Sequence, residues 1–151
     1  IIFNSIKGIT MEITQIFGFQ PHEGYKLPLF TMSVSAGKPI PVDDDIETDI
    51  DLNEFLVDHP AATFFARVNG ARMKGADIDD GDILIVDTSL TPKDGNVVVI
   101  SMDGSLTVKV YREIDGDKFL ESQNGQFLPL KIDPYMDLKP VGVVTKIIHS
   151  L

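Results

Sequence analysis

Five Asn-Gly or Asp-Gly dipeptides between residues 69 and 116 divide this part of the chain into short segments. They stand at residues 69–70, 80–81, 94–95, 103–104 and 115–116. Runs rich in β-branched and aromatic residues lie beside them, at 63–68, 83–86, 96–100, 105–111, 118–120 and 141–148. Such dipeptides favour the left-handed backbone of tight hairpin turns, and β-branched residues favour strands. The pattern predicts a mostly β domain built of curled antiparallel sheets.

The first fifty residues have a different character. Four prolines interrupt any long periodic element, at Pro21, Pro28, Pro39 and Pro41. We therefore predict an extended N-terminal arm over residues 1–50, followed by one domain over 51–151. The arm is either mobile or packed along its own domain, and the sequence leaves both open. Met11 is a candidate natural start, with the first ten residues as an upstream extension.

A short helix is predicted where the domain begins. Asp51 precedes residues 52–56 and suits the N-cap position, where its carboxylate accepts a backbone N–H. Glu54 stands at capping-box spacing, and Pro60 follows the predicted end of the helix.

Composition excludes several classes of protein. Lys and Arg total 13 against 23 Asp and Glu, a formal charge of -10, so the chain is not expected to bind DNA on its own. It has no cysteine and hence neither a disulfide framework nor a thiolate metal site. No apolar run approaches the roughly eighteen residues of a membrane span. We expect a cytoplasmic protein that does not contact a membrane.

Four sequence segments together resemble a known family. The first two are Asn-Gly-Ala-Arg-Met at 69–73 and Ile-Asp-Asp-Gly-Asp-Ile-Leu-Ile-Val-Asp at 78–87. The third is Asp-Gly-Ser-Leu-Thr-Val-Lys at 103–109, and the last is Val-Gly-Val-Val at 141–144. In order and spacing they resemble the UmuD/LexA family of self-cleaving peptidases, closest to UmuD. The resemblance implies the C-terminal peptidase fold of that family.

The resemblance also implies a chemistry, intramolecular proteolysis by a serine–lysine dyad. Lys109 matches the catalytic lysine, which acts as a general base only when neutral. Burial among apolar groups favours the neutral amine, and Leu106, Val108 and Val110 surround Lys109 in the sequence. On pattern alone a solvent-facing strand lysine is the simpler interpretation, and the matching motif favours the cleft.

Arg72 stands where the family motif has its serine nucleophile. A guanidinium stays protonated and offers only donors, so it cannot attack a carbonyl. Ser105 lies four residues before Lys109, about 13 Å away at the rise of a β-strand. Ser89, Ser101 and Ser122 fall outside any motif. The chain as written is therefore not expected to cleave itself, although Arg72 also fits an exposed turn residue without a role.

The family resemblance implies a cleavage site in the arm, between a small residue and glycine. Ala36 and Gly37 fit that description, about fifteen residues before the helix predicted at 52–56. A chance Ala-Gly pair in a flexible linker is the alternative.

No metal or cofactor is predicted. An EF-hand loop counted from Asp77 has Gly81 at position five and Thr88 at position twelve, which breaks the calcium pattern. His22, His59 and His149 have no zinc-ligand spacing.

Three functional classes follow from the resemblance. The first is a UmuD-like accessory protein of SOS mutagenesis, whose family forms dimers, meets RecA filaments and joins a translesion DNA polymerase. In the second, Arg72 is a laboratory or cloning substitution for the serine, and the natural protein is an active self-cleaving peptidase. The third is a LexA-like repressor fragment, since the 36 residues before Gly37 leave no space for a DNA-binding domain. A signal-peptidase relative would require a membrane anchor.

Overall fold

The computed structural model describes residues 11–18, 26–30, 46–70, 73–122 and 129–151. The described residues belong to two compact units. The larger unit contains residues 11–18 and 59–151, and the smaller one contains 26–30 and 46–58.

The larger unit is an eight-stranded antiparallel sheet. Its strands are β1 (Glu12–Gly18), β4 (Thr63–Asn69), β5 (Ile83–Asp87), β6 (Val97–Met102), β7 (Ser105–Ile114), β8 (Asp117–Glu121), β9 (Leu130–Lys131) and β10 (Leu138–Ile148). The strands lie in the order β1-β4-β5-β10-β6-β7-β8-β9. Glu12 of β1 also pairs with Thr107 of β7, so the first six strands of that order close on themselves. The prediction of a mostly β, curled antiparallel architecture is confirmed.

Turn chemistry sets where these strands end. Gly81, Gly95, Gly104 and Gly116 all have positive φ, as the Asp-Gly dipeptides predicted. Asp115 also has positive φ (51°), so the Asp115-Gly116 turn has the left-handed backbone at both central positions. Two-residue turns of this kind match the twist of antiparallel strands and fix their register. Ile114 consequently pairs with Asp117 directly across the turn.

Alternation along the strands gives the sheet two apolar faces. The first core cluster consists of Met11, Ala66, Val68, Met73, Ile78, Leu84, Val86, Val99, Val108 and Val110. The second core cluster consists of Val98, Ile100, Tyr111, Leu120 and Val143. Successive residues of a strand point to opposite faces, so β6 and β7 contribute to both clusters. Each fully buried aliphatic side chain stabilises the fold by about 1.5–3 kcal/mol.

Gly142 allows β10 to lie close to β5. The register of β10 against β6 shifts between Pro140 and Gly142, as in a β-bulge. A Cβ added at Gly142 would lie 2.7 Å from Val86 Cγ1 and 2.9 Å from the carbonyl oxygen of Asp87. Only glycine fits this crossing without displacing its neighbours.

The smaller unit combines a two-stranded sheet with the predicted helix. Strands β2 (Lys26–Phe30) and β3 (Ile46–Asp51) pair antiparallel, and helix α1 (Leu52–Leu56) follows β3 directly. The Asp51 carboxylate accepts a hydrogen bond from the backbone N–H of Asn53 at 2.9 Å, which confirms the predicted cap. Two single-turn 3₁₀ helices, Pro60–Ala62 and Lys74–Ala76, lie in the larger unit.

Strands β1 and β2 and most of β3 fall within the segment predicted as an extended arm. None of the three was predicted as a strand. The division of the chain at residue 51 stays a prediction.

Candidate active site

Lys109 lies near the middle of β7, between two neighbouring strands. Val98 of β6 pairs with it on one side. Alternation places Lys109 on the same face as Tyr111, so its side chain projects on the side of the second core cluster. Val108 and Val110 belong to the first core cluster, on the opposite face. The apolar surroundings of the lysine therefore come from across the strands, and not from the sequence neighbours that suggested them.

Burial changes the acid–base behaviour of this lysine. The Lys109 side chain is partly buried, and this desolvation lowers the pKa of its ammonium group below the ordinary value of 10.5. Removing an ammonium from water disfavours its charged form, so the neutral amine becomes accessible at lower pH. A general base requires this direction of shift, and the role of Lys109 as that base stays a prediction.

Ser122 meets Lys109 across the β7–β8 hairpin. Lys109 Nζ donates a hydrogen bond to Ser122 Oγ. Val110 pairs with Glu121, so the next step of the same register sets Lys109 opposite Ser122, which follows the end of β8. The motifs gave no signal for Ser122. The turn at 115–116 could have predicted the contact, because counting outwards from a two-residue hairpin turn places residue 109 opposite residue 122.

The described residues on both sides of position 72 are held by hydrogen bonds. The backbone N–H of Gly70 donates to Asp80 Oδ1 at 2.9 Å, and the Asn69 side-chain amide donates to the same oxygen at 3.1 Å. On the far side, the N–H of Met73 donates to the carbonyl of Ile78 at 2.9 Å. The hydrogen bond from Gly70, followed by that from Asn69, lowers the pKa of Asp80, so this carboxylate stays ionised at neutral pH.

Two sets of predicted site residues lie outside the described residues. Arg72, at the predicted nucleophile position, is one of them. Ala36 and Gly37, the predicted cleavage site, are the other. The roles assigned to them stay predictions.

A buried aspartate stands at each end of β5, and each one contacts a histidine. Asp82 and Asp87 are both only 2% exposed. His149 Nδ1 lies 2.5 Å from Asp82 Oδ1, and His59 Nδ1 lies 2.5 Å from Asp87 Oδ2. The two pairs connect β5 to the segments that contain His59 and His149.

The environment of Asp87 also changes its pKa. Burial alone would raise the pKa of Asp87, but hydrogen bonds from Ser89 and His59 outweigh it and lower the pKa. Ser89 contributes both its backbone N–H, at 2.9 Å, and its hydroxyl, at 2.6 Å. Hydrogen bonds from Ser89 and the contact with His59 therefore stabilise the buried negative charge of Asp87.

One cluster has the composition of a metal site. Ligand atoms of Asp79, Asp82 and His149 all lie within 4.8 Å of one another, a proximity that their spacing in the sequence did not suggest. Both oxygens of Asp82 already accept hydrogen bonds in this structure. His149 contacts Oδ1, and the backbone N–H of Asp79 donates to Oδ2 at 2.8 Å. These contacts explain the cluster as support for the turn before β5.

Comparison with known proteins defines the family. A family model described as Peptidase S24-like matches residues 28–145. ImpA of Salmonella typhimurium is 35% identical over 133 residues, covering 84% of this chain and 86% of its own. MucA of Escherichia coli is 37% identical over 128 residues, covering 84% and 85%. The LexA repressor of Psychromonas ingrahamii is 36% identical over 125 residues, covering 82% of this chain and 59% of the repressor.

These matches cover most of the chain, and its fold is the one that the motifs implied. The chain belongs to the Peptidase S24-like family, the family of UmuD and LexA. Within the described residues, no helix is long and apolar enough to cross a membrane.

Proposed function

We propose that this chain is a UmuD-like accessory protein of error-prone, translesion DNA synthesis in the SOS response. One observation carries the proposal. Lys109, at the family's catalytic position, is partly buried, while the sequence has Arg72 at the position of the nucleophile. The relatives ImpA and MucA, both matched over most of their length, support the UmuD-like class.

Arg72 removes the chemistry from the motif while leaving the fold intact. A serine loses its hydroxyl proton to the neutral lysine amine and then attacks the carbonyl carbon of the scissile bond. A guanidinium has no hydroxyl or thiol with which to attack a carbonyl, and it stays protonated in proteins. On this proposal the chain remains full length, with Ala36-Gly37 intact.

The proposed partners follow from the family. We propose a homodimer that meets RecA filaments and a translesion polymerase in the cytoplasm. An uncleaved chain of this kind would also pair with a cleavable relative and hold it back. Direct DNA binding has no place in the proposal, because the formal charge of -10 repels a phosphate backbone.

Intact-mass spectrometry of this chain and of Arg72→Ser tests the proposal. Both proteins are incubated with activated RecA filaments, and separately at alkaline pH, where more of the lysine is neutral. We expect only Arg72→Ser to split between Ala36 and Gly37. Arg72→Ala is the matched control, since it removes the guanidinium without supplying a hydroxyl and should stay intact. Adding Lys109→Ala to Arg72→Ser should abolish the splitting.

The other outcomes distinguish the alternatives. Splitting of the unaltered chain would show that a nucleophile other than residue 72 acts, and the peptidase would be active. If neither protein splits, the likeness to the family concerns the fold and the partners alone. Specific, tight binding to a DNA operator would instead favour the repressor class, which the LexA match brings into consideration.

A further inference from the structure

Ser122, which lies outside the family motif, places a hydroxyl in direct contact with the amine of Lys109. Both side chains are partly buried, and their Oγ and Nζ atoms are hydrogen-bonded. Among the described residues, Ser122 is the one whose hydroxyl contacts this amine. The cross-strand register of β7 and β8 fixes the pair, so it does not depend on what stands at residue 72.

We propose that Ser122 is a nucleophile that Lys109 activates, forming a second serine–lysine pair that accepts acyl groups at Ser122 Oγ. The substrate class is a carbonyl electrophile, an ester or an amide presented to the face of the sheet that carries the second core cluster. This proposal goes beyond the proposed function, because it requires neither a serine at residue 72 nor cleavage at Ala36-Gly37.

The reaction needs no further reagent. The Ser122 hydroxyl proton passes to the neutral Lys109 Nζ as Oγ bonds to the carbonyl carbon of the acyl donor. The bond from that carbon to the leaving oxygen or nitrogen then breaks, and the leaving group takes the proton from the Lys109 ammonium. Ser122 is left as an ester. Water hydrolyses that ester with Lys109 again acting as the base, which restores both side chains.

Two features of the surroundings favour this chemistry over a purely structural hydrogen bond. A lysine near a surface usually extends its amine into water, whereas Lys109 is held in the sheet opposite Val98 and loses solvent. Burial also lowers the pKa of Lys109, so the amine is neutral over a wider pH range than a solvated lysine. Once Lys109 is neutral, the hydroxyl therefore lies beside an acceptor for its proton.

Labelling with a fluorophosphonate tests the proposal on the unaltered chain. The reagent reacts with activated serines, and peptide mapping by mass spectrometry locates the adduct. We expect one adduct, on Ser122, whose rate of formation rises with pH until Lys109 is fully neutral. Ser122→Ala should remove it. Ser105→Ala is the matched control, because it deletes an exposed hydroxyl on β7, the strand of Lys109, and should label like the unaltered chain.

Lys109→Arg separates activation from simple support. Arginine keeps a charged hydrogen-bond donor near Ser122, but it stays protonated and cannot serve as a base. We expect labelling at least about a hundredfold slower, the scale of general-base catalysis. A thermal unfolding curve run in parallel shows that the variant is folded. Equal labelling in Lys109→Arg, or no adduct on Ser122 at any pH from about 7 to 10, would overturn the proposal.

This result is independent of the Arg72→Ser experiment. Failure of Arg72→Ser to split tests the family dyad, whereas the adduct on Ser122 is read from the chain that carries Arg72. If the unaltered chain splits at Ala36-Gly37, loss of that splitting in Ser122→Ala would assign the reaction to this pair. Persistence of the splitting in Ser122→Ala would count against Ser122 as its nucleophile.

Discussion

The two halves of the candidate site are built differently. Lys109 lies inside a ladder, with Val98 opposite it on one side and Ser122 on the other. Position 72 lies between Gly70, whose N–H donates to the Asp80 carboxylate, and Met73, which forms a bridge with Ile78. A regular sheet fixes the lysine half, and a few local hydrogen bonds fix the loop half.

This difference shows how the chemistry and the fold can separate. In a ladder, backbone hydrogen bonds set the position of each residue almost independently of its side chain. Lys109 therefore keeps its partly buried environment whether or not a nucleophile stands elsewhere. Around position 72, by contrast, the described residues are restrained by a few individual hydrogen bonds, so a change there is expected to affect the rest of the sheet less.

Gly142→Ala should reduce stability more than the other variants do, and it tests how tightly the sheet that carries Lys109 is constrained. The new methyl would meet Val86 Cγ1 at 2.7 Å and the Asp87 carbonyl oxygen at 2.9 Å. Because a backbone oxygen cannot move aside cheaply, β10 must shift away from β5. We expect the free energy of unfolding in urea to fall by about 2–3 kcal/mol.

Gly18→Ala is the matched control for this prediction. A Cβ at Gly18 meets nothing within 4 Å, so the same change should alter stability by less than about 0.5 kcal/mol. Equal stability of the two variants would mean that the sheet yields easily. The contrast between a rigid sheet around Lys109 and lightly restrained residues around position 72 would then be lost.

Asp80→Ala tests the loop half, and we expect a smaller, local effect. The change removes the acceptor for the Gly70 backbone N–H and the Asn69 amide. Exchange of the Gly70 amide hydrogen, followed by NMR, should become about tenfold faster, while thermal unfolding changes little. In Arg72→Ser, the same change should slow splitting, because the loop no longer holds the serine in place.

Asp80→Asn serves as its control. Asn keeps an oxygen acceptor at the same distance but loses the charge, so Gly70 exchange should lie between that of the unaltered chain and that of Asp80→Ala. A large loss of global stability in Asp80→Ala, with unfolding well below that of the unaltered chain, would show that the loop is as deeply integrated as the ladder.

Much of the fold follows from the sequence, because turn chemistry and strand composition act locally. The strands at 63–68, 83–86 and 105–111 were predicted within a few residues of their observed ends. β1 was not predicted, since it depends on a partner, β4, that lies about fifty residues away in the chain. Pairing over such a distance leaves no local signature.

The candidate site was predicted only in part. Lys109 follows from the motif, but the apolar groups around it lie across the strands, where sequence order does not show them. Ser122 was deducible from the two-residue turn at 115–116, yet no motif marks it. The contacts of His59 with Asp87 and of His149 with Asp82 join residues distant in sequence, which spacing alone does not reveal.

Lys109→Met should give the smallest effect, and its pH dependence is the informative part. Burial lowers the pKa of Lys109 in the folded protein, so the folded state binds this proton less well than the unfolded chain. The resulting cost to stability is complete below the lowered pKa. It shrinks as the pH rises, and it disappears once the unfolded chain has also lost the proton, near the ordinary value of 10.5.

Methionine keeps a similar length without a charge to desolvate. At neutral pH we expect Lys109→Met to raise the midpoint of thermal unfolding slightly, because the variant has no ammonium group to desolvate. The gain should fade as the pH approaches that of a solvated lysine. Lys93→Met removes the same charge from an exposed position and should show no such fading. A rise in the thermal midpoint that does not change with pH in either variant would mean that the sheet does not desolvate Lys109. The sheet would then position the lysine without preparing it as a base.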